Sequence, residues 1–163
     1  LSPVFSEALR HSLPTNNAVI NDHKAVELPF KVMNPKKRAD LEAAMLIMVN
    51  KERVKRGLKT LKADPELACV ARKHAIDMFA RSYFSHYTPE KVDPFGRMRA
   101  DGVVFFTAGE NLALAQTLSI AHNGLMNSPG HRANILNPAF GRLGVGIVDG
   151  GIYGLMITQN FRN

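Results

Sequence analysis

A chain of 163 residues is long enough for one domain with its own core, and 45 % hydrophobic residues place it among globular proteins rather than disordered ones. The longest apolar run, Ala43 to Val49, is far below the ~20 residues of a membrane-spanning helix, so no membrane span is expected in this chain. The net charge of +7 is uneven: residues 31–62 hold ten Lys or Arg against three Asp or Glu, and the remainder holds eleven of each sign.

The basic segment suits an anionic surface such as lipid headgroups or wall polymers, but a solvated helix face and linker is the expectation. Nucleic acid is not expected as a partner, because no recognised motif is present and no aromatics interleave with the basic residues. Cys69 is the single cysteine and has no internal disulfide partner; it is expected to be a small buried hydrophobe on a helix. The chain starts at Leu1 without Met and contains no signal peptide, which suggests a processed or excised fragment with a candidate anchor upstream.

Residues 1–38 contain Pro3, Pro14, Pro29 and Pro35 and no sustained period, and are read as an extended arm or linker that also carries His11 and His23. The domain is expected to span residues 39–163. Asp40 to Arg56 reads as a helix with Leu41, Met45, Met48 and Val49 on one stripe, ended by Gly57. A second helix opens at Asp64-Pro65-Glu66 and runs to about Tyr83, with His74 near its apolar face as a core histidine. Phe84 to Pro89 is a loop containing His86, and Pro94 to Ala100 a short helix. Val103 to Leu114 is partly extended around Gly109-Glu110-Asn111. Thr117 to Asn127 is a helix whose His122 is expected at the surface or half buried. A short helix then opens at Ser128, read as its N-cap, carries His131 in its first turn, and stops at Asn137-Pro138. Leu143 to Val148 and Ile152 to Gln159 form a hairpin around Asp149-Gly150-Gly151. The sum is an α+β fold with a small antiparallel sheet.

Four segments stand in a telling order: Tyr83-Phe84-Ser85-His86, Gly109-Glu110-Asn111-Leu112-Ala113, Asn127 to Leu136, and Gly144-Val145-Gly146 followed by Gln159-Asn160-Phe161. Over residues 41–161 the chain resembles the bacterial branch of the CAP superfamily of cysteine-rich secretory, antigen 5 and pathogenesis-related proteins. The resemblance implies a three-layer α-β-α sandwich and a central cleft gathering His86, Glu110 and His131. Many eukaryotic relatives have a second glutamate where Ser128 stands here, so a tetrad becomes a triad.

Two histidines and a carboxylate are a plausible set for zinc or another divalent metal, unless Glu110 only orients a histidine and never touches the metal. The same three residues are the candidate catalytic groups if the cleft is an acid–base site. Asn111, Ser128 and Gln159 are candidate supporting residues; no organic cofactor is expected. The resemblance thus implies an extracytoplasmic module, secreted or at the cell surface, that binds a divalent metal and a lipid, glycan, peptide or wall component. A metal-assisted or acid–base hydrolase, and a tethered scaffold with a vestigial cleft, are the alternatives. No His-Glu-x-x-His motif and no obvious Ser or Cys nucleophile paired with a base favours the enzyme.

Overall fold

The computed structural model describes residues 5–12 as backbone and residues 25–163 in full; Pro3, Pro14 and His23 lie outside the described residues. In chain order its elements are strands β1 (Phe5–Ser12), β2 (Val26–Glu27) and β3 (Lys36–Lys37), helix α1 (Ala39–Val54), strand β4 (Lys62–Ala63), helix α2 (Pro65–Ala80) and strand β5 (Tyr83–Phe84). Helix α3 (Pro94–Ala100), strand β6 (Thr107–Ala115), helices α4 (Leu118–Asn127) and α5 (Pro129–Ile135), and strands β7 (Arg142–Asp149) and β8 (Leu155–Arg162) complete it. The main sheet has the order β1-β6-β8-β7-β3, with neighbours antiparallel and β4 added in parallel to β7. β2 and β5 form a separate two-stranded pair.

Strand alternation sorts the core into two sides. Leu143, Val145 and Ile147 of β7, Ile157 and Phe161 of β8, and Ala113 of β6 meet Met45 and Val49 of α1, Leu125 of α4 and Ile135 of α5. The residues between them face α2: Leu112, Leu114, Val148 and Met156 pack on Ala75, Met78 and Phe79. The result is the expected α+β, three-layer sandwich, whose antiparallel sheet is covered on both faces.

The caps explain several boundaries. Asp64 accepts from Leu67 N at 3.1 Å and Thr117 from Ile120 N at 3.2 Å, as Asp and Thr do at N-caps. Asp64 also takes the Arg162 guanidinium at 2.7 Å, which ties the start of α2 to the end of β8. α2 stops at Ala80, three residues short of expectation, because Ser82 adopts a left-handed φ of 57° that no glycine signals. β8 starts at Leu155 rather than Ile152. Ile152 and Tyr153 are apolar but lie in a 3-10 turn, with Ile152 84 % exposed.

Other expectations change with the packing. Cys69 is exposed, on the outward side of α2 between buried Leu67 and Val70. His122 is buried, with its ring 3.8 Å from Glu52. The basic segment is not one solvated face: Arg53 is buried and donates to the carbonyls of Lys59, Ile135, Asn137 and Phe140. Arg38 pairs with Asp40 and Asp149, and Arg56 with Glu52. Within the segment expected as an arm, residues 25–38 lie on the domain. Leu28 is buried, Val32 N donates to Phe79 O at 3.0 Å, and Phe30 stacks on Tyr153.

Candidate functional site

Two adjacent residues of β6 organise the polar centre. Glu110 and Asn111 are both fully buried, and alternation points them to opposite faces of the sheet.

On the α2 face, Glu110 Oε1 lies 2.8 Å from His86 Nδ1, and Arg97 of α3 donates to Oε2 and Oε1 at 3.1 Å each. Arg97 also donates to the His86 carbonyl at 2.7 Å, so one guanidinium fixes both the carboxylate and the loop that carries the histidine. Burial alone would raise the Glu110 carboxyl, but the charge of Arg97 and the hydrogen bond from His86 outweigh it and hold it at about 2. Glu110 is therefore ionised and accepts only. It follows that His86 Nδ1 carries a proton, which leaves Nε2 as the ring nitrogen that can act as an acceptor.

His74 of α2 stands beside this cluster and is the core histidine expected, with Nε2 2.8 Å from the Ser85 carbonyl, to which it donates. Burial and then the charge of Arg97 push it down to about 4. A histidine lowered in the folded state resists the proton that the unfolded chain accepts near pH 6.5. Stability is thus full above that pH and lost as the pH falls towards 4, by up to about 1.4 kcal/mol per pH unit. Urea unfolding at pH 7.0, 5.5 and 4.5 checks this. His74→Gln, which keeps a donor to Ser85, should flatten the decline, and an unchanged slope would remove His74 as its cause.

On the opposite face, Asn111 Nδ2 donates to the His131 carbonyl at 3.1 Å and to Gln159 Oε1 at 3.0 Å. Asn134 of α5 donates to Asn111 Oδ1 at 2.9 Å and to the Glu110 carbonyl at 3.3 Å. This amide ladder pins α5, and with it His131, to β6. Ser128 does not cap α5 with its side chain. Its hydroxyl lies 2.6 Å from His131 Nδ1 instead, so the serine serves the histidine and not the helix end.

His86 and His131 thus meet Glu110-Asn111 from opposite faces of the sheet, His86 at the carboxylate and His131 through its own carbonyl, with Ser128 at its ring. The ligand role expected of Glu110 does not fit. Both its oxygens are engaged by Arg97 and His86, and a guanidinium beside them opposes a cation. Among the described residues, no three of His, Cys, Asp and Glu stand together so as to hold a metal ion. Sequence reasoning missed Arg97 and Asn134. Arg97 gives no signal that separates it from Arg99, which lies over the Phe105 ring. Asn134 had one: three residues after His131 in a short helix, it shares that face.

A three-layer sandwich with a buried Gly-Glu-Asn strand between two histidine-bearing segments is the class of domain that the sequence resemblance anticipates. Residues 46–161 match the CAP family, described as the cysteine-rich secretory protein family, and the chain belongs to that family. It is 43 % identical over 111 residues to the uncharacterized protein YkwD of Bacillus subtilis, covering 68 % of this chain and 43 % of the relative. It is 40 % identical over 121 residues to the uncharacterized membrane protein YlbC of the same organism, covering 74 % of this chain and 34 % of the relative. The chain therefore spans less than half the length of these curated relatives. Among solved structures, an extracellular protein containing a SCP domain from Bacillus anthracis superposes with a TM-score of 0.68 at 35 % identity, covering 76 % of this chain and 40 % of that one. Among the described residues no helix is long and apolar enough to cross a membrane.

Proposed function

We propose that this chain is an extracytoplasmic binding module whose ligand is received in a cleft at His86, Glu110 and His131. The observation that carries this reading is the buried relay Arg97–Glu110–His86. It holds one imidazole in a fixed tautomer with Nε2 as its basic atom, and it uses an ionised carboxylate to do so. Such carboxylate–histidine pairs orient imidazoles towards a cation. A divalent metal such as zinc would take Nε2 of His86, with Glu110 behind it, and would need His131, backed by Ser128, to reach it round the β6 edge from the opposite face, its other positions left to water or ligand. Bound there, the cation would supply Lewis acidity and an anchor for an oxygen or nitrogen of the ligand. Secretion or surface display agrees with the extracellular relative, and an anchor elsewhere in a longer protein agrees with the membrane relative.

Calorimetry with zinc chloride on the whole chain tests this. Zinc heat is expected at pH 7.5 and should vanish in His86→Ala and His131→Ala. Glu110→Gln should weaken affinity about 10–100-fold rather than abolish it. No zinc heat, or heat untouched by either histidine substitution, refutes the metal part.

The Ser128–His131 contact favours a second reading, a hydrolase in which His131 assists the Ser128 hydroxyl as nucleophile. Ester or peptide hydrolysis lost in both Ser128→Ala and His131→Ala would support it. Absence of turnover over a range of substrates leaves binding as the function.

A further inference from the structure

The two sides of β6 are filled by different parts of the chain. β8 pairs with one side from Ala108↔Arg162 to Ala115↔Leu155. β1 pairs with the other from Phe5↔Leu114 to Ser12↔Thr107. β1 lies outside the region matched to the family, residues 46–161. It is also no hairpin partner of β6, because the rest of the arm and three helices separate them in sequence. Its register sets Leu9 opposite Glu110 and Ala8 opposite Asn111, and β1 lies against α5, the helix of His131.

A strand edge offers N–H and C=O groups at a repeat of about 6.6–6.8 Å for every two residues. An extended polypeptide matches that row, whereas a lipid or a glycan does not. We propose that the β6 edge beside Glu110 and His131 is a peptide-binding site that works by antiparallel strand addition, and that residues 5–12 are its intramolecular occupant. The ligand class is an extended segment of another protein. This deepens the binding-module reading and rests on it. Backbone pairing supplies affinity and direction with little regard to sequence, and α5 forms a wall beside the strand. A segment on the same chain competes at an effective concentration in the ~mM range, so an external peptide binds well only once β1 is displaced.

The test uses a fluorescein-labelled octapeptide with the sequence of residues 5–12, titrated by anisotropy without zinc into the whole chain and into the double variant Ala8→Pro/Leu9→Pro. Successive residues of a strand turn their N–H groups to opposite sides. One of two adjacent prolines must therefore remove a donor to β6. The variant is expected to bind the probe at least ~10-fold more tightly than the unaltered chain, with its circular dichroism and melting still cooperative. A folded variant that binds no better overturns the proposal. Should the variant fail to fold, hydrogen exchange on the unaltered chain decides. The outward amides of residues 107–114 must be protected, and a millimolar excess of unlabelled probe must slow their residual exchange. Exchange at the rate of exposed loops, or indifference to the probe, overturns the proposal. Zinc heat without probe binding removes this inference alone, whereas probe binding without zinc heat removes only the metal part of the earlier reading.

Discussion

Arg97→Met should lower folding stability by about 3–5 kcal/mol at pH 7, the range for removing one member of a buried ion pair. The side chain of Arg97 is 12 % exposed and that of Glu110 is 0 % exposed, so water replaces little of the lost guanidinium. Methionine restores the bulk of the stem but no charge, and it leaves the Glu110 carboxylate hydrogen-bonded to His86 Nδ1 without its guanidinium. The His86 carbonyl loses its donor in the same step. Replacing the carboxylate as well separates charge from packing: Arg97→Met/Glu110→Gln should recover much of the loss, because a neutral amide costs less to bury than an unpaired carboxylate. Urea unfolding of the two single variants and the double variant gives the coupling, expected at about 1–3 kcal/mol. A single-variant cost below about 1 kcal/mol would mean that Arg97 only rests against the cluster.

The same substitution bears on binding. His86 keeps its place through the carboxylate and through its own carbonyl, and Arg97 holds both. Zinc affinity should therefore drop in Arg97→Met although no proposed ligand is altered. The relay is a positioning device in which one cation neutralises a buried anion, and that anion orients an imidazole.

How much of this is legible in the sequence varies with the physics of each part. Elements fixed by local chemistry are readable. Asp64 and Thr117 cap their helices because a short acceptor just before a helical run has one nearby use. His74 is a core histidine because its place on the α2 stripe already buries it. His86, Glu110, Asn111 and His131 are nameable through their ordered motifs, since no spacing joins residues so far apart. What stays illegible is which distant groups satisfy which. Ser128 has the composition and position of a cap, yet its hydroxyl lies against His131 Nδ1, a neighbour it meets only once α5 is wound. Arg97 and Arg53 look like surface charges in a basic protein. Arg53 becomes buried and Arg97 largely covered because carbonyls or a carboxylate from other elements converge on them. The strand character of residues 5–12 depends on β6, far along the chain, and local sequence carries no trace of that pairing.

The other large effect lies at Gly144 and Gly146, which the sequence marks as part of a motif and the structure explains by contact. Both sit on the face of β7 that meets α2. A Cβ on Gly144 would stand 2.3 Å from Ala68 N and Leu67 C, and one on Gly146 2.3 Å from Arg72 N and 2.4 Å from Ala71 C. The two contact points are two residues apart on the strand and four apart on the helix. Two strand residues advance about 6.6–6.8 Å and four helical residues about 6 Å, so α2 runs along β7 with its backbone seated on both glycines. The obstructing atoms are main chain, so no rotamer can relieve the clash, and α2 must lift by more than an ångström. Gly144→Ala and Gly146→Ala should each cost about 3 kcal/mol, at or above the upper end for overpacking. Gly141→Ala is the control: its Cβ would meet Asn163 C at 3.6 Å, an ordinary contact, so the expected change is within about 0.5 kcal/mol. Urea midpoints of the three variants check the ranking, and a Gly146→Ala as stable as Gly141→Ala would show that α2 yields freely. Lifting α2 also carries His74 away from Ser85 and strains the Arg162–Asp64 tie. The loop of His86 should therefore loosen with it, and zinc affinity should fall in Gly146→Ala even below the melting range.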